Sequence, residues 1–409
     1  MLNKIWGGFF FAAFLVALGR WVLAGEEAVW AAMVTAAFEM AGTGFEIALG
    51  LTGVMCLWLG VMRLGEAGGA VDLLARGFRP LLVRLFPGVP GDHPAMGAMV
   101  MNMAANGLGL DNAATPLGLK AMRELQTLNP EPDRATDAQI LFLVINTSAV
   151  TVIPATIFVY RAQMGAADPT DVFIPLLIAT FCSTMAGLLA AAVAQRLRLW
   201  DPVVLAYLGA MTALVAGMVV YFSRLPREVM EARSSLVSNF VIFLVIVVFV
   251  GLAAVRREPV FETFVEGAKD GFKVAVEIIP YLVAMLVAIG ILRASGALEM
   301  ALEPVRWATE RAGLDTRWVE GLPTALVRPL SGSGARGLMI ETMQTHGADS
   351  FAGRLVSVIQ GSTETTFYVL AVYFGSVGIR RTRNAVTLGL VADVTGIAAA
   401  IAVCYLFFG

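Results

Sequence analysis

The chain has 409 residues, of which 58% are hydrophobic and only 15% charged, against roughly 25% charged in an ordinary soluble domain. So few Lys, Arg, Asp and Glu cannot cover the cores that such a composition would build in water, so lipid is the solvent and a soluble enzyme or secreted scaffold is excluded. The net charge of -2, from 29 basic and 31 acidic residues, leaves no basic excess to neutralise a phosphate backbone, which excludes nucleic acid as a partner.

Lys4 and the apolar run Ile5–Leu18 have the form of a secretory signal cut after Ala24. The membrane segments that follow favour a retained first span, Ile5–Leu23. A crossing needs about 20 mostly apolar residues, and the next candidate is Ile47–Met62. Gly69–Phe86 is amphipathic and Arg-bearing, as expected of an interfacial helix. Pro94–Leu110 and Asn112–Met122 are interrupted and read as half-helices or a re-entrant hairpin. Spans are expected at Ile140–Tyr160, Phe173–Ala194, Val203–Phe222, Phe240–Val255 and Ile278–Leu292. A second interfacial segment, Gly296–Ala312, precedes Leu322–Met343, which Pro323, Pro329, Gly332, Gly334 and Gly337 break. Leu355–Phe374 and Ala385–Phe407 complete the spans.

The chain repeats itself. At an offset of 227, Ala41, Gly44, Phe45, Ala48, Leu59, Ala67, Gly69, Ala70 and Arg79 meet Ala268, Gly271, Phe272, Ala275, Leu286, Ala294, Gly296, Ala297 and Arg306. Farther on, "NAATPLGL" (Asn112–Leu119) falls opposite "SGSGARGL" (Ser331–Leu338), and "NTSAV" (Asn146–Val150) opposite "GSTET" (Gly361–Thr365). This is a tandem duplication, with halves at 1–199 and 236–409 and a joining helix and loop at 200–235. One joining span inverts the second half. Charge agrees with this: the loop Gln163–Asp171 carries Asp168 and Asp171, whereas its counterpart holds Arg380, Arg381 and Arg383, and Glu46 is matched by Lys273. Because basic loops stay cytoplasmic, Lys4, Arg196, Arg198 and the Arg380–Arg383 loop are placed inside and the C-terminus outside. Arg224, Arg227 and Arg233 then sit outside, offset by Glu228 and Glu231.

Polar residues inside a membrane are costly and mark candidate sites. In the first half these are Asn102, Asn106, Asp111, Asn112 and Thr115, then Asn146, Thr147, Ser148 and Thr151. In the second they are Arg328, Ser331, Ser333 and Arg336, then Gln360, Ser362, Thr363, Glu364, Thr365 and Thr366. Amides and hydroxyls both donate and accept, as a small solute of mixed polarity requires, and half-helix N-termini at Asn112 and Gly334 would add backbone N–H groups. The same hydroxyls also serve to satisfy broken backbone and to hold helices together. From these clusters Asn106, Asn112, Thr115, Asn146, Thr147, Ser148, Ser331, Ser333, Gln360, Ser362, Thr363, Glu364 and Thr365 are the candidate substrate-binding residues. Three roles stay open for Glu364: binding a coupling cation, accepting a proton, or pairing with Arg328 or Arg336. Asp393 is a weaker candidate that fits a cap or a pair near the last span.

Other chemistry finds little support. Gly332, Gly334 and Gly337 spell the dinucleotide fingerprint, but no strand and no βαβ unit surround them. Cys56, Cys182 and Cys404 lie in separate apolar runs, as small buried hydrophobes do. His93 and His346 have no partner at metal-ligand spacing. No catalytic residue, metal or cofactor is expected.

At these same blocks the chain resembles a fusion of two bacterial families, spore maturation proteins A and B. The A-like strings are "NMAANGLGLDNAATPLGLKAM" (Asn102–Met122) and "INTSAVTVIPAT" (Ile145–Thr156). The B-like strings are "IIPYLVAMLVAIGILRASGAL" (Ile278–Leu298), "RPLSGSGARGLMIETMQTHGADSF" (Arg328–Phe351) and "GSTETTFYVLAVYFGSVGI" (Gly361–Ile379). The resemblance implies two nucleoside-recognition or gate domains, related to parts of concentrative nucleoside transporters, and in spore formers a link to spore-core dehydration. It supplies no substrate. The expectation is therefore an all-α polytopic protein of the bacterial inner membrane, built of two inverted gate repeats. It would be a permease for a small polar solute, with a scaffold or assembly factor as the alternative. The lipid bilayer is its sure partner, and homo-oligomerisation stays open.

Overall fold

The computed structural model describes residues 2–109, 111–148 and 152–409. The first half runs through α1 (Leu2–Ala24), α2 (Ala28–Ala67), α3 (Ala70–Leu85), α4 (Pro94–Gly107), α5 (Asp111–Gln126), α6 (Asp137–Thr147), α7 (Ala155–Gln163) and α8 (Phe173–Gln195). A joining helix, α9 (Pro202–Ser223), leads to α10 (Arg227–Val255), α11 (Val260–Ala294) and α12 (Ala297–Arg311). A short 3-10 turn then precedes α13 (Leu322–Val327), α14 (Gly332–His346), α15 (Phe351–Ser362), α16 (Thr366–Ser376) and α17 (Ala385–Phe408). Among the described residues α1, α2, α8, α9, α10, α11 and α17 are long and apolar enough to cross a membrane. The protein is an all-α, multi-pass membrane protein.

Two expected spans are corrected. Ile140–Tyr160 and Leu355–Phe374 are not continuous helices; each divides into two half-helices, α6 and α7, and α15 and α16. The reason is chemical. Short hydroxyl side chains bond to nearby backbone and compete with the helix: the Ser148 hydroxyl donates to the Ile145 carbonyl at 2.9 Å and the Ser362 hydroxyl to the Ile359 carbonyl at 3.0 Å. In contrast, Ile47–Met62 and Ile278–Leu292 are parts of much longer helices, α2 of 40 residues and α11 of 35. The expected re-entrant hairpin is the helix pair α4–α5, tied by Asn102 Nδ2 donating to the Ala114 carbonyl at 2.8 Å; Leu110, between the two helices, lies outside the described residues.

The two halves are inverted, as the packing of α2 on α11 shows. A Cβ on Gly44 would lie 3.1 Å from Val283 Cα, and one on Gly271 2.6 Å from Cys56 Cα. These are the same contact seen twice, because Gly271 and Val283 are the equivalents of Gly44 and Cys56 at the offset of 227. As α2 advances from Gly44 to Cys56, its partner position recedes from Val283 to Gly271, so the equivalent helices run antiparallel. Small residues at these crossings let backbones approach closely without lipid between them. The same offset relates Gly69 (φ +78°) and Gly296 (φ +82°), which end the two long helices and turn the chain into the amphipathic helices α3 and α12. Both adopt the left-handed conformation that only glycine enters without strain.

The loops repeat this relation at opposite ends of the molecule. At one end the α16–α17 loop meets the α5–α6 loop, where Arg381 donates to Asp133 at 2.7 Å and 3.0 Å and to Glu131 at 3.1 Å. At the other, the α7–α8 loop meets the α14–α15 loop. There the fully buried Arg161 binds Asp171 at 2.8 Å, Asp349 at 3.3 Å and the Ala348 carbonyl at 2.8 Å. Burial pushes the Asp171 carboxyl above its ordinary value, against the pull of Arg161 and Arg354. At the first end, the hydrogen bond from Arg381 holds Asp133 below the usual carboxylate value. Its stabilising contribution is therefore present above an unfolded pKa of about 4 and is lost as pH falls through the lower folded value. Thermal unfolding across the acid range should show a small loss that Arg381→Gln removes, small because both side chains are exposed to solvent.

Candidate functional site

The two broken helices meet at the centre of the protein. The backbone N–H of Glu364 donates to the Thr147 carbonyl at 2.7 Å, joining the second break directly to the first. Other carbonyls freed at the breaks are taken up by hydroxyls of α8: Thr184 donates to Ser148 and Thr180 to Gly361, both at 3.3 Å. Non-helical backbone is tolerated at membrane depth only where protein or a polar cavity satisfies it in this way.

Beside the crossing is a cavity of about 180 Å³, lined by Asn106, Thr115, Asn146, Arg328, Arg336, Gln360, Glu364, Tyr368 and Tyr373. Two larger cavities adjoin it. One of about 390 Å³ runs between α2, α7 and α11, and one of about 770 Å³ runs between α11, α14 and α16. Arg336 borders all three, and its guanidinium lies 5.4 Å from the centre of the Tyr160 ring.

The site's polar groups are ordered by one another. Asn146 accepts at Oδ1 from Asn106 Nδ2 at 2.8 Å and from the Tyr373 hydroxyl at 3.3 Å, and its own Nδ2 donates to the Phe142 carbonyl at 2.8 Å. The Tyr373 ring stacks on Phe142, and Gly118 gives its hydroxyl room. The Arg328 guanidinium donates to the Thr363 carbonyl from two nitrogens and lies 3.3 Å from the Glu364 carboxylate. Arg328 is buried while Glu364 is partly open to the cavity. Gln360 is 4% exposed; its Nε2 donates to the Gly332 carbonyl at 3.3 Å, and its Oε1 has no hydrogen-bond partner among the described residues.

Of the residues singled out from the sequence, Asn106, Thr115, Asn146, Gln360 and Glu364 line the central cavity, and Ser331, Ser333, Glu364 and Thr365 line the largest one. Thr147, Ser148, Ser362 and Thr363 are fully buried at the breaks. Ser148 and Ser362 bond back to their own helices, and Ser331 caps α14 by accepting from Gly334 N at 3.0 Å. The side chain of Asn112, like Thr151, lies outside the described residues. Of Glu364's three roles, the pair with Arg328 is present. The fingerprint glycines serve close packing: a Cβ on Gly332 would crowd Thr365 at 2.8 Å, and one on Gly337 would crowd Met285 of α11 at 2.6 Å. Tyr160, Tyr368 and Tyr373 were not legible as site residues, because a tyrosine in an apolar helix has no signal that separates cavity from core.

The profile of the nucleoside-recognition (Gate) family matches residues 48–167 and 275–380, more than half of the chain and once in each repeat. The chain belongs to the gate family. Both matched regions take in a broken helix, so the gate domains are the parts that build the cavity. The chain is 47% identical to spore maturation protein B of Bacillus subtilis (strain 168) over 155 residues, which are 38% of this chain and 85% of that protein. It is 41% identical to spore maturation protein A of the same organism over 154 residues, again 38% of this chain and 79% of that protein. No solved structure matches the chain significantly.

Proposed function

We propose that this protein is a permease of the bacterial inner membrane for a small polar solute, bound in the cavity between the two gate-domain breaks. The observation that carries this reading is the central cavity, where polar groups from both inverted repeats converge on one space. Inverted repeats with broken helices at their junction suit alternating access by rocking one repeat against the other. The cavity offers both kinds of partner. Arg328 and Arg336 suit an anionic group, whereas Gln360 Oε1 and the Glu364 carboxylate accept from hydroxyl or amino donors. A nucleoside-like solute or a small carboxylate bearing hydroxyl or amino groups fits this mixture.

One observation favours a second reading, a membrane scaffold without a solute. The bond from Glu364 N to the Thr147 carbonyl, together with the Asn106–Asn146–Tyr373 chain, satisfies much of the polar chemistry internally. Uptake of labelled nucleosides and small carboxylates into proteoliposomes separates the two. The permease reading expects uptake that Asn146→Ala or Gln360→Ala reduces at least tenfold. Absence of uptake for every member of both classes would favour the scaffold.

A further inference from the structure

We propose that Asp393 is a proton-binding site, protonated while the two helix breaks are closed on each other and deprotonated when they part. Asp393 sits in the middle of α17 and is fully buried. Its Oδ2 accepts from the Thr366 hydroxyl at 2.6 Å, at the first residue of α16. Its Oδ1 has no hydrogen-bond partner among the described residues, and the same holds for the Thr363 and Thr147 hydroxyls, both fully buried. The face of α17 that carries Asp393 is pressed against both breaks. A Cβ on Gly396 would lie 2.5 Å from the Thr363 methyl, and one on Gly389 2.7 Å from the Thr366 methyl and 3.6 Å from that of Thr147. Asp393 therefore lies on a helix face packed against threonines of both repeats, Thr147 of the first and Thr363 and Thr366 of the second.

The chemistry favours a proton over an ion. An ionised carboxylate here would be a buried charge with no cation bonded to it among the described residues. The charged groups acting on it across the packed elements are Arg328 and Glu364, and Arg328 is engaged by Glu364 and by the Thr363 carbonyl. A protonated Asp393 is neutral, and its O–H can donate to the neighbouring Thr363 hydroxyl. A metal ion would need a fuller set of oxygens than these three. Thr147, Thr363 and Thr366 belong to the tips that close the crossing. Transfer of the proton from Asp393 to water leaves a carboxylate that only water or a separation of those tips can accommodate. Deprotonation is thus coupled to opening.

Protonation is tested without reference to any solute, so its failure is distinct from failure of the permease reading. Infrared spectra of the full chain in lipid nanodiscs at neutral pH should show a protonated-carboxyl C=O band that Asp393→Asn removes and Glu364→Gln leaves in place. If the asparagine variant does not fold, Asp393→Glu should shift the band. For the conformational half, Thr115→Cys in a background lacking the native cysteines reports opening through its reaction with a water-soluble maleimide. Reaction should rise with pH more steeply when Asp393 is present than when it is Asn. The proposal is overturned if the wild type has no such band or if neither Asp393 substitution alters it. Equal pH dependence of labelling in the two backgrounds, or a stabilisation by sodium over choline that needs Asp393, also overturns it.

Discussion

Replacing Arg161 by Met should destabilise the protein by about 3–5 kcal/mol, the usual cost of removing one partner from a buried ion pair. Arg161 is fully buried and joins the α7–α8 loop of one repeat to the α14–α15 loop of the other, through Asp171, Asp349 and the Ala348 carbonyl. Without it, Asp171 stays buried with Arg354, at 2.7 Å, left to balance it. Thermal unfolding of the purified protein in detergent measures the loss. Because the damage lies in the stranded charge, Arg161→Met combined with Asp171→Asn should recover a large part of it. A single variant within about 1 kcal/mol of wild type, in the range of an exposed pair, would mean that this end of the molecule is hydrated rather than sealed.

The second large effect is at the antiparallel crossing of α2 and α11. Gly271→Leu should cost about 3 kcal/mol and part the repeats, at the upper end of ordinary overpacking. The first added carbon would lie 2.6 Å from Cys56 N and Cα, and backbone cannot rotate away as a side chain can. Gly53→Leu on the exposed face of α2, where an added Cβ meets nothing within 4 Å, is the matched control and should be nearly neutral. The contrast is read as the difference in unfolding temperature and in the yield of monodisperse protein. Equal behaviour of the two variants would mean that the helices do not cross at these glycines.

Much of this architecture was readable from residue order alone, and the reasons are specific. The duplication was legible because Gly44 and Gly271, or Gly69 and Gly296, do the same steric work in each copy, so each copy needs the same residue type. The inversion was legible because the loop charges differ in sign between copies. The breaks at Thr147 and Thr363 were half legible. Their polar residues stood out, yet Ile140–Tyr160 and Leu355–Phe374 still read as single spans, because a few unwound residues barely alter the hydropathy of a long window. Which polar residues face the cavity was not legible. Asn146 and Ser148 are two residues apart, and only the direction of the chain through the break turns one to the cavity and the other back on its helix. Asp393 looked like a helix cap because its environment is assembled from Thr147, Thr363 and Thr366, distant in sequence.

The most direct test of a solute site shared by the two repeats is ligand-induced thermal stabilisation of the full chain in nanodiscs, scanned over nucleosides and small carboxylates. The account predicts at least one stabilising solute whose effect is lost on changing either repeat's contribution, Asn146→Ala from the first or Gln360→Ala from the second. A stabilising solute indifferent to both substitutions, or none in either class, would contradict it.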